Sequence, residues 1–181
     1  MNKEDIIKEK FKQALNSTFR VISEDYKTNI KNQKKINDKS FQIGELENIN
    51  DKNQFRKLRA ETDSEALKKK FSNNKIFEKN IPKKISCQNL YKTAEKIRYE
   101  LLGSKMLKGI SKNFYDNYRN KLESTKTHKI TKKDDVNIAD VFEIYMLNKF
   151  FKIDLDQKNQ QILNFWNEDF KKSFDKHINY L

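Results

Sequence analysis

Turn-forming residues are scarce in this chain, and their scarcity limits its possible folds more than any other feature. Its 181 residues include three glycines and one proline. Because sheets need turn residues every few positions, the sequence predicts an all-α protein, an irregular helical bundle of about five to six helices. Thirteen Phe and seven Tyr can fill a core that the sparse aliphatic residues would leave thin.

Apolar residues spaced three and four apart indicate where the helices lie. Residues 3–22, 51–72, 87–102 and 135–152 show this spacing, and Asp134 or Asp135 is a candidate cap for the fourth helix. Asp156 is the candidate cap of a last helix that carries Ile162, Trp166 and Phe170 on one face. The polar stretches 23–50, 73–86 and 119–133 are predicted connections; the first is partly flexible or contains a short strand, and the second holds Pro82.

The apolar stripe changes face near Gly103. Leu90, Ala94, Ile97 and Leu101 share one arc, whereas Met106, Ile110, Phe114 and Tyr118 share another, about half a turn away. Either the chain turns near Gly103, or one long helix packs different faces against two neighbours. Gly103 itself is a candidate helix breaker or a glycine that permits close helix contact. Residues 90–118 are expected to pack between 138–151 and 162–174 as one compact unit.

Charge and cysteine content narrow the functional classes. The net charge of +13 and the lysine runs 68–70 and 83–84 motivate a nucleic-acid partner, but the basic residues are spread over both halves of the chain. Nucleic-acid binding is therefore an alternative that the sequence does not favour. No apolar run approaches about 18 residues, so no membrane span is predicted. One cysteine, Cys87, excludes an internal disulfide and fits the cytoplasm.

Residues 90–114 carry a recognisable helical signature, LYKTAEKIRYELLGSKMLKGISKNF. Its characteristic positions are Glu95, Arg98, Glu100, Gly103, Gly109 and Asn113. The stretch 59–82 precedes it and the stretches 138–151 and 162–170 follow it, in matching order and spacing. Together they resemble the N-terminal helical region of CobT-type subunits of the aerobic, ATP-dependent cobaltochelatase. The resemblance covers about residues 51–178, and it divides the chain into an N-terminal helix with a polar loop (1–50) and a helical domain (51–181).

The resemblance implies a function. The aerobic cobaltochelatase inserts Co²⁺ into hydrogenobyrinic acid a,c-diamide during cobalamin biosynthesis, using ATP and magnesium. Its CobT-type subunit works with an AAA+ ATPase subunit and a large tetrapyrrole-binding subunit. This sequence contains no acidic linker and no Asp-x-Ser-x-Ser motif for Mg²⁺, so no catalytic, cofactor-binding or metal residue is carried over. A non-catalytic subunit or fragment that docks on the AAA+ subunit is expected; the alternative is a basic nucleic-acid-binding or scaffold protein unrelated to chelation.

Arg98 is the most informative single residue because it lies inside an apolar arc, where a guanidinium must be paired. Glu95, three residues earlier, is the first candidate partner, and Asp140 or Glu143 could serve instead. The favoured interpretation is an intramolecular ion pair, and the alternative is that Arg98 and Glu100 face a partner subunit. His128 and His177 lack neighbours at ligand spacing, so a metal site is not predicted there.

Overall fold

The structure, a computed structural model, describes residues 2–26, 43–124 and 132–178. These residues form eight α-helices and one short 3-10 turn, and they contain no strand. The helices are α1 (Lys3–Ser23), α2 (Lys52–Phe71), α3 (Asn74–Asn80), α4 (Ile85–Met106), α5 (Lys108–Ser124), α6 (Ile138–Phe151), α7 (Gln157–Asn164) and α8 (Asn167–Ile178). The all-α prediction is confirmed, whereas five to six helices is a slight undercount.

The chain divides into two compact units. Unit 1 comprises Met1–Asn73 and Leu102–Asn117, and unit 2 comprises Asn74–Leu101 and Tyr118–Leu181. Residues 90–101 therefore group with 138–151 and 162–174, as predicted. The same prediction is wrong for residues 102–117, which group with α1 and α2 instead. The sequence division at residue 50 stays a prediction.

Unit 1 is built on the packing of α1 against α2. α1 begins with a capping box, in which the Asn2 side chain accepts from the Asp5 amide at 2.8 Å and the Asp5 carboxylate accepts from the Asn2 amide at 3.1 Å. The Phe11 and Phe55 rings join the two helices edge to face, with centroids 4.6 Å apart. The buried core beside them contains Leu15, Ile43, Leu46 and Leu58.

Residues 43–50 are held to the start of α2 by side-chain hydrogen bonds. Gln54 Oε1 accepts from the backbone amides of Glu47 and Asn48, each at 3.1 Å. The Asp51 carboxylate caps α2 by accepting from the amides of the next turn. Residues 27–42 lie outside the described part of the chain, so the flexibility or strand predicted there stays untested.

The core of unit 2 centres on α6 and is rich in aromatic rings. Val141 and Leu147 are completely buried. The rings of Phe142 and Tyr145 lie 5.4 Å and 5.3 Å from the Phe170 ring, centroid to centroid. Trp166 stacks on Phe170 at 6.0 Å. The rings thus supply core volume, as the composition predicts.

Asparagine and aspartate side chains begin two helices of unit 2. Asn137 accepts from the amide two residues ahead at 2.9 Å and begins α6, and Asp156 accepts from the amide three residues ahead at 2.7 Å and begins α7. The prediction for Asp156 is confirmed. Asp134 and Asp135 do not cap α6, because both lie in the 3-10 turn that precedes Asn137.

Three predicted boundaries are corrected by the structure. The connection predicted over 73–86 contains α3, a helix with no buried residue and therefore no apolar period to reveal it. The last helix divides near Phe165 into α7 and α8. α5 continues to Ser124, inside the predicted loop 119–133; residues 125–131, including His128, are not among those described.

The chain does not turn at Gly103. This glycine lies inside α4, which ends at Met106, and Leu107 separates α4 from α5. The ideal position of a Cβ on Gly103 is only 2.3 Å from Cδ1 of Leu67 in α2. The interpretation of Gly103 as a close-contact glycine is thus confirmed. The alternative of one long helix is wrong, because α4 and α5 are separate helices.

Candidate functional site

Glu95 and Arg98 form the predicted ion pair on α4. Arg98 Nε donates to Glu95 Oε2 at 2.7 Å and Nη2 donates to Oε1 at 2.9 Å, a bidentate arrangement. The hydrogen bond to Glu95 raises the pKa of Arg98, which keeps the guanidinium charged. Glu143, the alternative partner considered for Arg98, instead accepts from Lys121 Nζ at 2.5 Å.

Glu100 is inside unit 2 and forms a short hydrogen bond there. Its side chain is 1% exposed, and the Tyr118 hydroxyl donates to its Oε2 at 2.5 Å. Lys96 Nζ lies 4.0 Å from the other carboxylate oxygen and 5.3 Å from the centre of the Tyr118 ring. Burial, followed by the negative charge of Glu100, raises the pKa of Tyr118 well above its usual value. The phenol therefore stays protonated and remains the donor.

Asn113 and Gly103 both contact α2 in unit 1. Asn113 Nδ2 donates to Asp63 Oδ2 at 2.7 Å, although the two residues are 50 positions apart. Asp63 is 3% exposed, and this burial raises its pKa, while the Asn113 hydrogen bond acts in the opposite direction. Gly103 lies against the buried Leu67. These contacts fix the approach of residues 102–117 to α2.

Gly109 differs from the other signature residues. It is exposed in the first turn of α5, and a Cβ placed on it would meet none of the described residues within 4 Å. The signature residues are therefore not gathered into one reactive site: Glu95 and Arg98 pair with each other, while Glu100, Gly103 and Asn113 each contact a different residue. Their arrangement serves helix packing.

Asp63, the partner of Asn113, was not predicted from the sequence. Ala60, Asp63 and Leu67 are spaced three and four apart on α2 and all three are buried. That spacing placed the carboxylate on the apolar face of the helix and was the available signal. Its partner lies 50 residues away, and the helical pattern gives no information about contacts at that distance.

Unit 2 also contains an open cleft of about 500 Å³. In its wall, the Lys149 ammonium and the Tyr145 hydroxyl both donate to the Asp175 carboxylate. These hydrogen bonds, that of Lys149 first, lower the pKa of Asp175. Lys171, another wall residue, is paired with Glu168 at 3.1 Å. The cleft wall thus pairs its own charges to a large extent.

Metal-binding side chains are dispersed in the part of the chain that the structure describes. His177 is exposed near the end of α8, and Cys87 is partly exposed in the first turn of α4. Over residues 2–26, 43–124 and 132–178, no group of three His, Cys, Asp or Glu could hold a metal ion. Of the helices described, none is long and apolar enough to cross a membrane.

The comparison with protein families gives a match over almost the whole sequence. The family model "Cobalamin biosynthesis protein CobT" matches residues 7–181, which include most of α1 as well as the signature in α4 and α5. Neither a curated protein nor a solved structure gives a significant match. The chain therefore belongs to the CobT family, which assigns it a role in cobalamin biosynthesis.

Proposed function

We propose that this chain is a non-catalytic subunit, or part of one, of the ATP-dependent cobaltochelatase. It acts by docking on the AAA+ subunit and relaying ATP-driven motion to the large tetrapyrrole-binding subunit, where Co²⁺ is inserted. The observation that carries the proposal is the family match over residues 7–181. The resemblance of residues 90–114 to the signature of CobT-type cobaltochelatase subunits supports the assignment to this particular enzyme.

The packing of the signature residues is consistent with such a relay. A subunit that transmits motion must keep its helices in fixed register, because a soft element absorbs displacement. Buried polar pairs constrain register more narrowly than apolar contacts, since each pair is satisfied in few arrangements. Glu100 with Tyr118 provides one such pair in unit 2. In unit 1, the buried Asp63 pairs with the partly buried Asn113.

ATP and magnesium belong to the complex in this proposal, and Co²⁺ is its substrate. The described residues do not fit a Mg²⁺ site, since they offer no cluster of three suitable ligands. The three glycines are isolated at positions 44, 103 and 109 and form no phosphate-binding loop. No step of nucleotide or metal chemistry is therefore assigned to these residues.

Native mass spectrometry of the chain mixed with its AAA+ chelatase subunit, ATP and Mg²⁺ tests the proposal. We expect a defined complex, and faster Co²⁺ insertion when the chain is added to the other two subunits. An unrelated AAA+ ATPase is the control partner. Folded protein, checked by far-UV circular dichroism, that forms no complex and does not alter chelation would refute the proposal. A mobility shift with duplex DNA at physiological salt would then favour the nucleic-acid alternative.

A further inference from the structure

One surface of unit 2 leaves large apolar side chains exposed. It is formed by α3, the connection after it and the beginning of α4, residues 74–92, and is called the α3–α4 surface here. Ile76 is 60% exposed and Ile85 is 76% exposed. No residue of α3 is buried, and Ile97 is the first buried residue of α4.

Aromatic stacking joins the two helices of this surface. The Phe77 ring of α3 stacks on the Tyr91 ring of α4, with centroids 5.0 Å apart and planes 29° from parallel. Both rings are only partly buried. The contact holds α3 against α4 although α3 has no core residue.

The charge of the α3–α4 surface is almost entirely positive. Residues 74–92 contain five lysines, at 75, 79, 83, 84 and 92, and one acidic residue, Glu78. Among the residues that the structure describes, no carboxylate pairs with Lys79, Lys83, Lys84 or Lys92. Lysines on α2 differ, because Lys68 pairs with Glu65 and Lys70 with Glu24, at 3.6 Å and 2.5 Å.

We infer that the α3–α4 surface is the docking surface for a partner protein with an apolar centre and an acidic rim. The inference rests on the proposed function and specifies the surface that docks. The exposed apolar area is removed from water only when a partner covers it. Four lysines around that area, which have no acidic partner among the described residues, favour acidic side chains on the partner. Nucleic acid would satisfy the lysines but leave the isoleucines exposed, since its backbone offers them no apolar contact.

Paired variants test the apolar part of the surface on the full chain. Ile76→Ser with Ile85→Ser should weaken binding to the AAA+ subunit by at least about tenfold, because the centre of an interface carries most of its affinity. Met106→Ser with Leu107→Ser is the matched control: these side chains are 54% and 51% exposed in unit 1. The control should change the dissociation constant by less than about twofold. Circular dichroism verifies that all variants remain helical.

Charge reversal tests the lysine rim. Lys83→Glu with Lys84→Glu should weaken AAA+ binding and reduce its dependence on salt. Lys105→Glu with Lys108→Glu changes the net charge equally, on unit 1, and should have little effect. Equal weakening by both pairs would show that overall charge acts, which would overturn the inference.

The remaining outcomes separate the inference from the proposed function. If the unaltered chain binds the AAA+ subunit and the α3–α4 variants bind as well as it does, the inference is overturned while the proposed function stands. If the unaltered chain does not bind, the proposed function itself fails. Selective loss of duplex DNA or anionic-vesicle binding in the lysine variant, with AAA+ binding intact, would also overturn the inference.

Discussion

Replacing Gly103 with alanine tests the close contact between α4 and α2. The new Cβ would lie 2.3, 2.5 and 2.9 Å from three carbons of Leu67, a side chain that is 1% exposed and has little space to move into. Overpacking of this kind lowers the free energy of unfolding by about 1–3 kcal/mol. Because the new Cβ overlaps three carbons of one buried side chain, we expect a loss near the top of that range. The higher helix propensity of alanine relative to glycine stabilises the helix by about 1 kcal/mol and offsets part of this loss. We therefore expect Gly103→Ala to lower the free energy of unfolding by about 2 kcal/mol.

Gly109→Ala is the matched control for this measurement. The chemical change is the same, but nothing lies within 4 Å of the new Cβ. Its stability should stay unchanged or rise by up to about 1 kcal/mol. Thermal unfolding followed by far-UV circular dichroism reports both variants. At about 2–4 °C per kcal/mol for a chain of this size, Gly103→Ala should lower Tm by about 4–8 °C.

A double-mutant cycle with Leu67→Ala identifies the cause of that loss. Leu67→Ala alone should cost about 2–5 kcal/mol because it leaves a cavity. In the double variant the methyl group introduced at position 103 occupies part of that space, so the combined cost should be smaller than the sum of the single costs. A Gly103→Ala protein as stable as the original, or strictly additive costs, would refute the contact as the reason for the glycine.

Three further perturbations address buried carboxylates and a helix cap. Burial raises the pKa of Asp63 above its usual 3.8, so protonated Asp63 stabilises the fold fully below that value and this stabilisation is lost as pH rises through the folded-state pKa. Asp63→Asn should remove this loss when Tm is measured from about pH 3 to about pH 7. A plot of Tm against pH that runs parallel to that of the original protein would contradict the prediction. Tyr118→Phe removes the hydroxyl that donates to the buried Glu100. It should lower the free energy of unfolding by about 1–3 kcal/mol, measured by urea unfolding with Trp166 fluorescence. An unchanged urea midpoint would contradict this prediction. Asp156→Ala removes the α7 cap and should lower the free energy of unfolding by about 1 kcal/mol in the same assay. An unchanged free energy of unfolding would mean that the cap does not stabilise the protein.

The spacing of apolar residues predicted the first two helices closely. Residues 3–22 were predicted for α1, which spans Lys3–Ser23, and 51–72 for α2, which spans Lys52–Phe71. Glu95 and Arg98 were predicted as a pair because residues three apart adjoin on a helix. Each of these predictions depends on neighbours within about one helical turn, the range over which a sequence pattern is informative.

Features that depend on distant residues were not predictable in the same way. The contact of Asn113 with Asp63 spans 50 positions, and the assignment of residues 102–117 to unit 1 depends on their packing with α2. The change of apolar face near Gly103 was apparent in the sequence. Deciding whether it indicates a turn or a close helix contact required the position of Leu67 in the structure. α3 escaped detection because it buries none of its residues.

The residues that carry the family signature and those that carry the inferred docking surface are different sets. Glu100, Gly103 and Asn113 are engaged in packing, whereas Ile76 and Ile85 are exposed. Substitution of Glu100, Gly103 or Asn113 should therefore lower stability first, and reduce AAA+ binding only by the fraction of protein that is unfolded. Substitution on the α3–α4 surface should reduce binding while Tm stays constant. Measuring both quantities on both groups of variants distinguishes a residue that maintains the fold from one that contacts the partner, which a binding assay alone cannot do.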